Sequence, residues 1–135
     1  MRVFISGKMT GLPDNGKKVF LEAENSLKWS LVKESESKVE IVNPINLIDN
    51  LSDVLKIPLE LIPYELMFKY TTSELLKCNA IIFLNNWKQS KGARLEYRIA
   101  KNSGIKIYFA DEEFKIKEET DENGIVHFNE INKEE

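Results

Sequence analysis

One glutamate has the type and the position needed for nucleophilic chemistry on an organic substrate. Setting Ala93 at 0° in the predicted helix from about Ala93 to Ser103 and adding about 100° per residue places Glu96 near 300°. This direction lies in the stripe that we expect to face a sheet, whereas Tyr97 and the basic residues of the helix take the outward side. Glu96 is therefore predicted to point inward.

A buried, unpaired carboxylate is costly, so the inward direction of Glu96 needs a reason. A capping box would require Ser or Thr at the position of Ala93, which leaves a buried lysine as the structural alternative. The functional alternative, which we favour, is a carboxylate at the mouth of a pocket, kept ionised by the N-terminus of its helix.

Two glycine-containing loops follow predicted strands and could bind an anion. They read GKMTG (residues 7–11) and NNWKQSKG (residues 85–92), and both lead into helix N-termini. Neither matches a nucleotide-binding fingerprint, and glycines that only shape tight turns are an equal alternative. Trp87 in the second loop is interpreted as a lid, a stacking platform or an interface anchor.

The remaining reactive side chains favour structural interpretations. Thr71 lies on the inward face of the predicted helix from Pro63 to about Cys78, where a hydroxyl usually bonds back to its own helix. Cys78 is interpreted as a buried small side chain, and His127 as an exposed one. With one cysteine and one histidine, no tetrahedral zinc set, disulfide or metal site is expected.

Short apolar strands that alternate with amphipathic helices predict an α/β fold with a parallel sheet. The first helix carries an apolar stripe that includes Phe20 and Leu27, and the stretch 45–62 is predicted to be a loop with a short helix near residues 51–55. The segment 111–135 is charged, with Asn123-Gly124 between two alternating runs, so it is predicted to be a hairpin or a partly disordered tail. The predicted strands are Arg2–Ser6, 40–44, 80–84 and 105–110.

Length and composition predict one soluble domain. The chain has 135 residues, 42% of them hydrophobic and 30% charged, and a formal net charge of −3. The balance argues against a nucleic-acid polymer as partner. The absence of a long apolar run or a signal-peptide pattern predicts a cytoplasmic protein with no membrane contact.

Three segments resemble a known family. FISGKMTGLPD, LLKCNAIIFLNNW and SKGARLEYRIAKNSGIKI closely resemble domain of unknown function 4406, which is similar to nucleoside 2-deoxyribosyltransferases and 2'-deoxynucleoside 5'-monophosphate N-glycosidases. The resemblance covers residues 1–110, leaving 111–135 as an extension. It implies a flavodoxin-like three-layer α/β/α fold with strand order 2-1-3-4, a homodimer or larger homo-oligomer, a nucleoside or nucleotide substrate and no cofactor.

The resemblance also implies site residues. Glu96 matches a glutamate that attacks the sugar C1' and expels the base, and Ser90 matches a serine that binds the 5'-phosphate. The chain departs from the related enzymes at three positions, where Phe4 replaces a tyrosine and Thr71 and Asn79 replace two aspartates. The residues predicted to bind substrate are Phe4, Ser6, Gly7, Lys8, Met9, Thr10, Gly11, Thr71, Asn79, Trp87, Ser90 and Gly92.

Three functions follow as hypotheses. The first is an N-glycosidic enzyme, either a hydrolase or a deoxyribosyltransferase, acting on a 2'-deoxynucleoside or its 5'-monophosphate through Glu96. The second is a nucleotide-binding protein with little or no turnover, which the three departures favour. The third is a scaffold role. Self-association is consistent with Leu21, Trp29 and Val32, which lie off the inward stripe of the first helix.

Overall fold

The computed structural model describes residues 1–34 and 38–119, which form five strands and four α-helices. The strands are β1 (Arg2–Ser6), β2 (Glu40–Val42), β3 (Ala80–Phe83), β4 (Lys106–Ala110) and β5 (Ile116–Glu118). The helices are α1 (Lys17–Glu34), α2 (Pro44–Leu55), α3 (Tyr64–Leu75) and α4 (Lys91–Ser103). None of the helices in these two ranges is long and apolar enough to span a bilayer.

The five strands form one mostly parallel sheet in the order β2-β1-β3-β4-β5. β1 pairs in parallel with β2 and β3, and β3 pairs in parallel with β4. The β1–β3 register sets Ser6 opposite Phe83, so both strands end at the same edge of the sheet. The prediction of an α/β protein with a mostly parallel sheet is confirmed.

Alternation along the central strands divides the core into two clusters. Phe4 packs with residues of α3 and α4, including Leu75 and Tyr97, whereas its neighbours Val3 and Ile5 pack with residues of α1. Because successive side chains of a strand point to opposite faces, the two clusters lie on opposite faces of the sheet. Ser6 has the parity of Phe4, which directs its side chain toward the face that α3 and α4 cover.

The segment after β2 is a twelve-residue helix, α2, rather than the predicted loop with a short helix. Asn43 caps it, because its side-chain oxygen accepts a hydrogen bond from the backbone N–H of Ile45 at 3.0 Å. Pro44 stands at the first helical position, where its fixed φ and missing N–H suit a helix start. Asn43-Pro44 therefore ends a strand and also begins a helix.

Tyr97 points inward, contrary to the prediction from the helical arithmetic. The buried residues of α4 are Ala93, Glu96, Tyr97 and Ala100, a spacing of three and four residues along one face. Tyr97 is fully buried, and its ring stacks on Trp87 with 5.3 Å between centroids. The prediction placed the centre of the apolar stripe too close to Leu95 and Ile99, which are only half-buried.

Part of the predicted C-terminal extension belongs to the sheet, since β5 pairs with β4 in antiparallel orientation. Glu119, the residue after β5, accepts a hydrogen bond from the Tyr97 hydroxyl at 2.6 Å and forms an ion pair with Lys101. These contacts fix the segment to the outer part of α4. The predicted turn at Asn123-Gly124, the second arm of the predicted hairpin and His127 lie outside the described residues.

Candidate active site

The carboxylate of Glu96 and the hydroxyl of Ser6 form a buried contact between α4 and the end of β1. The Ser6 Oγ donates a hydrogen bond to Glu96 Oε1 at 2.7 Å. Glu96 is 9% exposed and Ser6 is 1% exposed. The inward direction predicted for Glu96 is thus the observed one, and Ser6 faces it because the alternation along β1 turns Ser6 toward α4.

Burial dominates the acidity of Glu96. Removal from water disfavours the charged form and raises the pKa of Glu96 to about 7, while the hydrogen bond from Ser6 acts in the opposite direction. A carboxyl group with this pKa is partly ionised near neutral pH. It can therefore act as a nucleophile or exchange a proton with a substrate under physiological conditions.

The loop after β1 is held against the loop after β3. The backbone N–H of Lys8 donates a hydrogen bond to Asn86 Oδ1 at 3.0 Å. A Cβ atom on Gly7 would lie 3.0 Å from that same oxygen and 3.1 Å from the Cβ of Leu84, so a larger residue would separate the two loops. Gly7 is required here for close approach, and the contact fixes both loops beside the Ser6–Glu96 pair.

The second loop ends in the N-cap of α4. The Ser90 Oγ accepts a hydrogen bond from the backbone N–H of Ala93 at 3.1 Å. The helix therefore begins at Lys91, two residues before the predicted start, and Gly92 lies in its first turn. Lys8 approaches this end through its Nζ, which donates to Gln89 Oε1 at 3.4 Å.

A cavity of about 1010 Å³ opens beside Glu96. Its walls come from both loops, from the start of α1 and the turn before it, from α2, α3 and α4, and from the segment that joins α2 and α3. The residues that line it are Ser6, Gly7, Lys8, Met9, Thr10, Asp14, Asn15, Lys17, Pro44, Ile45, Ile48, Asp49, Leu59, Glu60, Ile62, Tyr64, Met67, Phe68, Thr71, Gln89, Ser90, Lys91, Gly92, Ala93 and Glu96.

Nine predicted site residues are brought together around this cavity. They are Ser6, Gly7, Lys8, Met9, Thr10, Thr71, Ser90, Gly92 and Glu96. The Thr71 hydroxyl donates to the carbonyl of Phe68 at 3.2 Å, which is the bond back to its own helix that the sequence indicated as the structural alternative.

Asn79 does not belong to the site. It immediately precedes β3, whereas Ser6 ends β1, so the two residues lie at opposite edges of a parallel sheet. Its side-chain oxygen accepts a hydrogen bond from the backbone N–H of Arg2 at 2.8 Å, which ties the starts of two strands together. Asn79 is accordingly not among the residues that line the cavity.

Phe4, Trp87 and Gly11 also lie apart from the cavity lining. Phe4 is fully buried in the core beneath α3 and α4. Trp87 is 3% exposed and packs against Phe83 and Tyr97, so it cannot serve as a lid or an exposed stacking platform. Gly11 has a positive φ of 86° and supplies the turn that leads away from the loop.

The apolar and acidic wall formed by α2 and α3 is the part of the site that sequence reasoning missed. Ile45, Ile48 and Asp49 come from α2, which was predicted to be mostly loop. Tyr64, the first residue of α3, was not among the predicted site residues. The signal that could have revealed α2 was the cap residue Asn43 followed by proline and apolar residues at helical spacing.

Within residues 1–34 and 38–119, no three histidine, cysteine, aspartate or glutamate side chains are grouped so that they could hold a metal ion. The carboxylate of Glu96 has the Ser6 hydroxyl as its hydrogen-bond partner. The side chains that line the cavity supply carboxylate, hydroxyl, amide and ammonium groups.

Comparison with models of protein families assigns the chain to one family. The model of the family described as Domain of unknown function (DUF4406) matches residues 1–109. The chain belongs to this family. No curated protein matches it. The DUF4406 match spans β1 to β4 and every cavity residue, so the site lies wholly within the family's own domain.

Proposed function

We propose that this protein is an N-glycosidic enzyme, a hydrolase or a deoxyribosyltransferase, that acts on a 2'-deoxynucleoside or its 5'-monophosphate. One observation carries the proposal. A buried glutamate, oriented by a serine hydroxyl, stands at the wall of a cavity of about 1010 Å³. This volume is at the upper end of the range of small-molecule sites and suits a nucleotide.

The reaction would proceed through a covalent glycosyl-enzyme. One carboxylate oxygen of Glu96 forms a bond to the sugar C1' as the C1'–N bond breaks, and the base leaves with the electron pair of that bond and takes up a proton. Water, or the nitrogen of a second base, then attacks C1' and releases the glutamate. Ser6 holds one oxygen of Glu96 in place throughout, which leaves the other oxygen for attack.

The 5'-phosphate of the substrate would lie at the N-terminus of α4. Lys8, Ser90, Lys91 and Gly92 line this end of the cavity, where the first-turn N–H groups of a 13-residue helix and two ammonium groups favour an anion. The opposite wall, with Ile45, Ile48 and other apolar side chains, suits the flat faces of a base.

The proposal includes the similarity to enzymes of deoxynucleosides that the sequence suggested. We infer a relationship of this DUF4406 domain to nucleoside 2-deoxyribosyltransferases and to deoxynucleotide N-glycosidases, together with a flavodoxin-like arrangement of layers. Assembly as a homo-oligomer, a cytoplasmic location and the absence of a nucleic-acid polymer among the partners remain predictions.

Release of free base tests the proposal. Wild-type protein is incubated with a panel of deoxynucleosides and their 5'-monophosphates, and free base is followed by chromatography. We expect Glu96→Gln, which keeps the shape and the bond from Ser6 but removes the attacking oxygen, to reduce the rate about a thousandfold or more.

Glu22→Gln, at an exposed position of α1, is the matched control and should leave the rate unchanged. A wild type that releases base, with a Glu96→Gln variant that is equally active, contradicts the assignment of Glu96 as nucleophile.

A nucleotide-binding protein with little turnover is the second candidate. It is favoured by the pKa of Glu96, which at about 7 leaves part of the carboxylate protonated at neutral pH, and by the Thr71 hydroxyl, which bonds to its own helix. This function predicts a nucleotide that stabilises the protein against thermal unfolding and is recovered intact.

A further inference from the structure

Tyr64 is the first residue of α3 and lies at the rim of the cavity, where a second aromatic ring holds its side chain in place. Its ring stacks on that of Phe68, one helical turn later, with 6.0 Å between centroids and 26° between planes. Both residues line the cavity, and Tyr64 remains 51% exposed. The phenol is thus held by stacking while its hydroxyl stays accessible to a ligand.

The Tyr64 hydroxyl reaches across to α4 at a residue without a side chain. A Cβ atom built on Gly92 would lie 3.3 Å from the Tyr64 oxygen and 3.8 Å from Ser90 Oγ. Gly92 is four residues before Glu96, so the two share one face of the helix. The hydroxyl therefore lies over the stretch of α4 between the phosphate end of the cavity and the carboxylate.

The negative charge of Glu96 affects the pKa of Tyr64. Burial, followed by the negative charges of Glu96 and Glu65, raises the pKa of the Tyr64 phenol. The phenol consequently stays protonated at neutral pH and can donate a hydrogen bond. Among the described residues the Glu96 carboxylate accepts its hydrogen bond from Ser6, not from Tyr64.

We propose that Tyr64 is a substrate-binding residue whose hydroxyl donates a hydrogen bond to an oxygen of the substrate sugar. The inference rests on the proposed function, because it places the sugar between Glu96, which attacks C1', and the N-terminus of α4, which takes the 5'-phosphate. Gly92 suits this arrangement, because a Cβ here would lie 3.3 Å from the hydroxyl oxygen and would displace the phenol by a few tenths of an ångström.

Kinetics test the role of the hydroxyl. Tyr64→Phe keeps the ring and its stacking on Phe68, so the expected change is a loss in kcat/KM of about tenfold on a deoxynucleoside monophosphate. Tyr70→Phe, on the same helix and outside the cavity lining, is the control and should retain the wild-type value. Equal kcat/KM for Tyr64→Phe and wild type overturns the proposal.

Gly92→Ala supplies a second variant. The added methyl crowds the Tyr64 oxygen, so we expect a several-fold loss of kcat/KM in the wild-type background and little further loss when combined with Tyr64→Phe. Additive losses in the double variant would show that Gly92 acts through something other than the hydroxyl, which counts against the arrangement proposed here.

Binding of base-free ligands separates this proposal from the proposed function. We expect Tyr64→Phe to weaken the binding of 2-deoxyribose 5-phosphate by about tenfold in calorimetry and to leave the binding of inorganic phosphate unchanged. This result would support Tyr64 as a sugar ligand even if the wild type releases no base.

If Tyr64→Phe weakens the binding of both ligands equally, the hydroxyl contacts the phosphate rather than the sugar. If it weakens the binding of neither, the hydroxyl does not contact the ligand. Both outcomes overturn the assignment to the sugar while leaving an active, Glu96-dependent enzyme intact. A wild type that binds neither ligand and also releases no free base overturns the assignment together with the proposed function.

Discussion

The Glu96 carboxyl links the acidity of one residue to the stability of the chain. Its pKa in the folded protein is about 7, against an ordinary value of 4.5, because the folded protein removes it from water. Between these two values the folded state binds more protons than the unfolded state. The contribution of Glu96 to stability is therefore fully present below pH 4.5 and is lost as the pH rises through 7.

The same carboxyl must be ionised to attack C1', so activity and stability should respond to pH in opposite directions. The shift in pKa corresponds to about 3 kcal/mol of folding free energy. We expect the wild type to lose about this amount, relative to Glu96→Gln, when denaturant unfolding is compared at pH 4.5 and pH 8. The rate of base release should meanwhile rise to a plateau above pH 7.

Glu22→Gln provides the reference for this comparison, because Glu22 is exposed on α1 and its replacement leaves the buried carboxyl in place. The variant should show the same decrease in stability between the two pH values as the wild type. A Glu96→Gln variant with the wild-type pH dependence would show that the carboxyl does not titrate near 7.

At the scale of single residues, the sequence predicted the direction of Glu96 but not of every neighbour. The 100° rule was sufficient for Glu96 because α4 is regular from Lys91 to Ser103. The direction of Tyr97 was wrong because the stripe was centred too close to Leu95 and Ile99. The burial of a tyrosine ring also depends on a polar partner for its hydroxyl, here Glu119. Such a partner is visible only in three dimensions.

Asn79 illustrates a different limit. A match of sequence motifs assigned it to the site, but it stands at the amino end of β3, where the backbone of Arg2 binds its side chain. The position of one residue relative to the start of a strand decides which edge of the sheet it occupies. The predicted strand 80–84 and β3 both begin at residue 80, so the strand pattern already set Asn79 at this edge, and only the motif match assigned it to the site.

Among the elements, α4 has two functions at its N-terminus that a substitution can separate. Ser90 caps the helix through the N–H of Ala93, and it also lines the cavity where the phosphate would lie. Ser90→Ala should lower the free energy of unfolding by about 1 kcal/mol, since a capping oxygen is lost. Asp and Asn both cap well and should each restore most of this stability.

The two restoring residues differ in charge, which provides the test of the phosphate site. Ser90→Asp sets a negative charge beside the phosphate, so the Kd for a deoxynucleoside monophosphate should rise about tenfold or more, while Ser90→Asn should bind nearly as the wild type does. Calorimetric titration of both variants measures this. Equal affinity of the Asp and Asn variants would exclude a phosphate at this end of the cavity.

α2 shows why an element can escape sequence-based prediction. The Asn-Pro pair at its N-terminus is a pattern that also occurs where strands end. Here it both follows β2 and begins α2, so the pattern alone does not indicate the helix. The helix is stabilised by packing of one face, with Ile45 buried against the α1 side of the sheet, whereas Val54 near its end is 79% exposed. Tertiary contacts of this kind, not local propensity, fix the length of the helix.

For the molecule as a whole, the cavity depends on segments from residue 6 to residue 96 that meet only after folding. The mostly parallel sheet was predictable, because buried strands read as apolar runs and alternate with helices. The cavity's apolar wall was not, because it required both the existence of α2 and its contact with α3. The loops at the ends of β1 and β3 were predictable as candidate sites from the general location of ligands in such sheets.

The exposed surface of α1 bears on assembly of the whole molecule. Trp29 is 72% exposed and Leu21 is 54% exposed on this helix, and a large aromatic side chain left in water is a common anchor of protein interfaces. We therefore expect the protein to form a homo-oligomer through α1, and Trp29→Lys to shift it to monomer in sedimentation velocity. Val54→Lys, which alters an equally exposed apolar residue at the end of α2, should leave the oligomer intact. Dissociation by Val54→Lys but not by Trp29→Lys would move the interface to α2, beside the cavity.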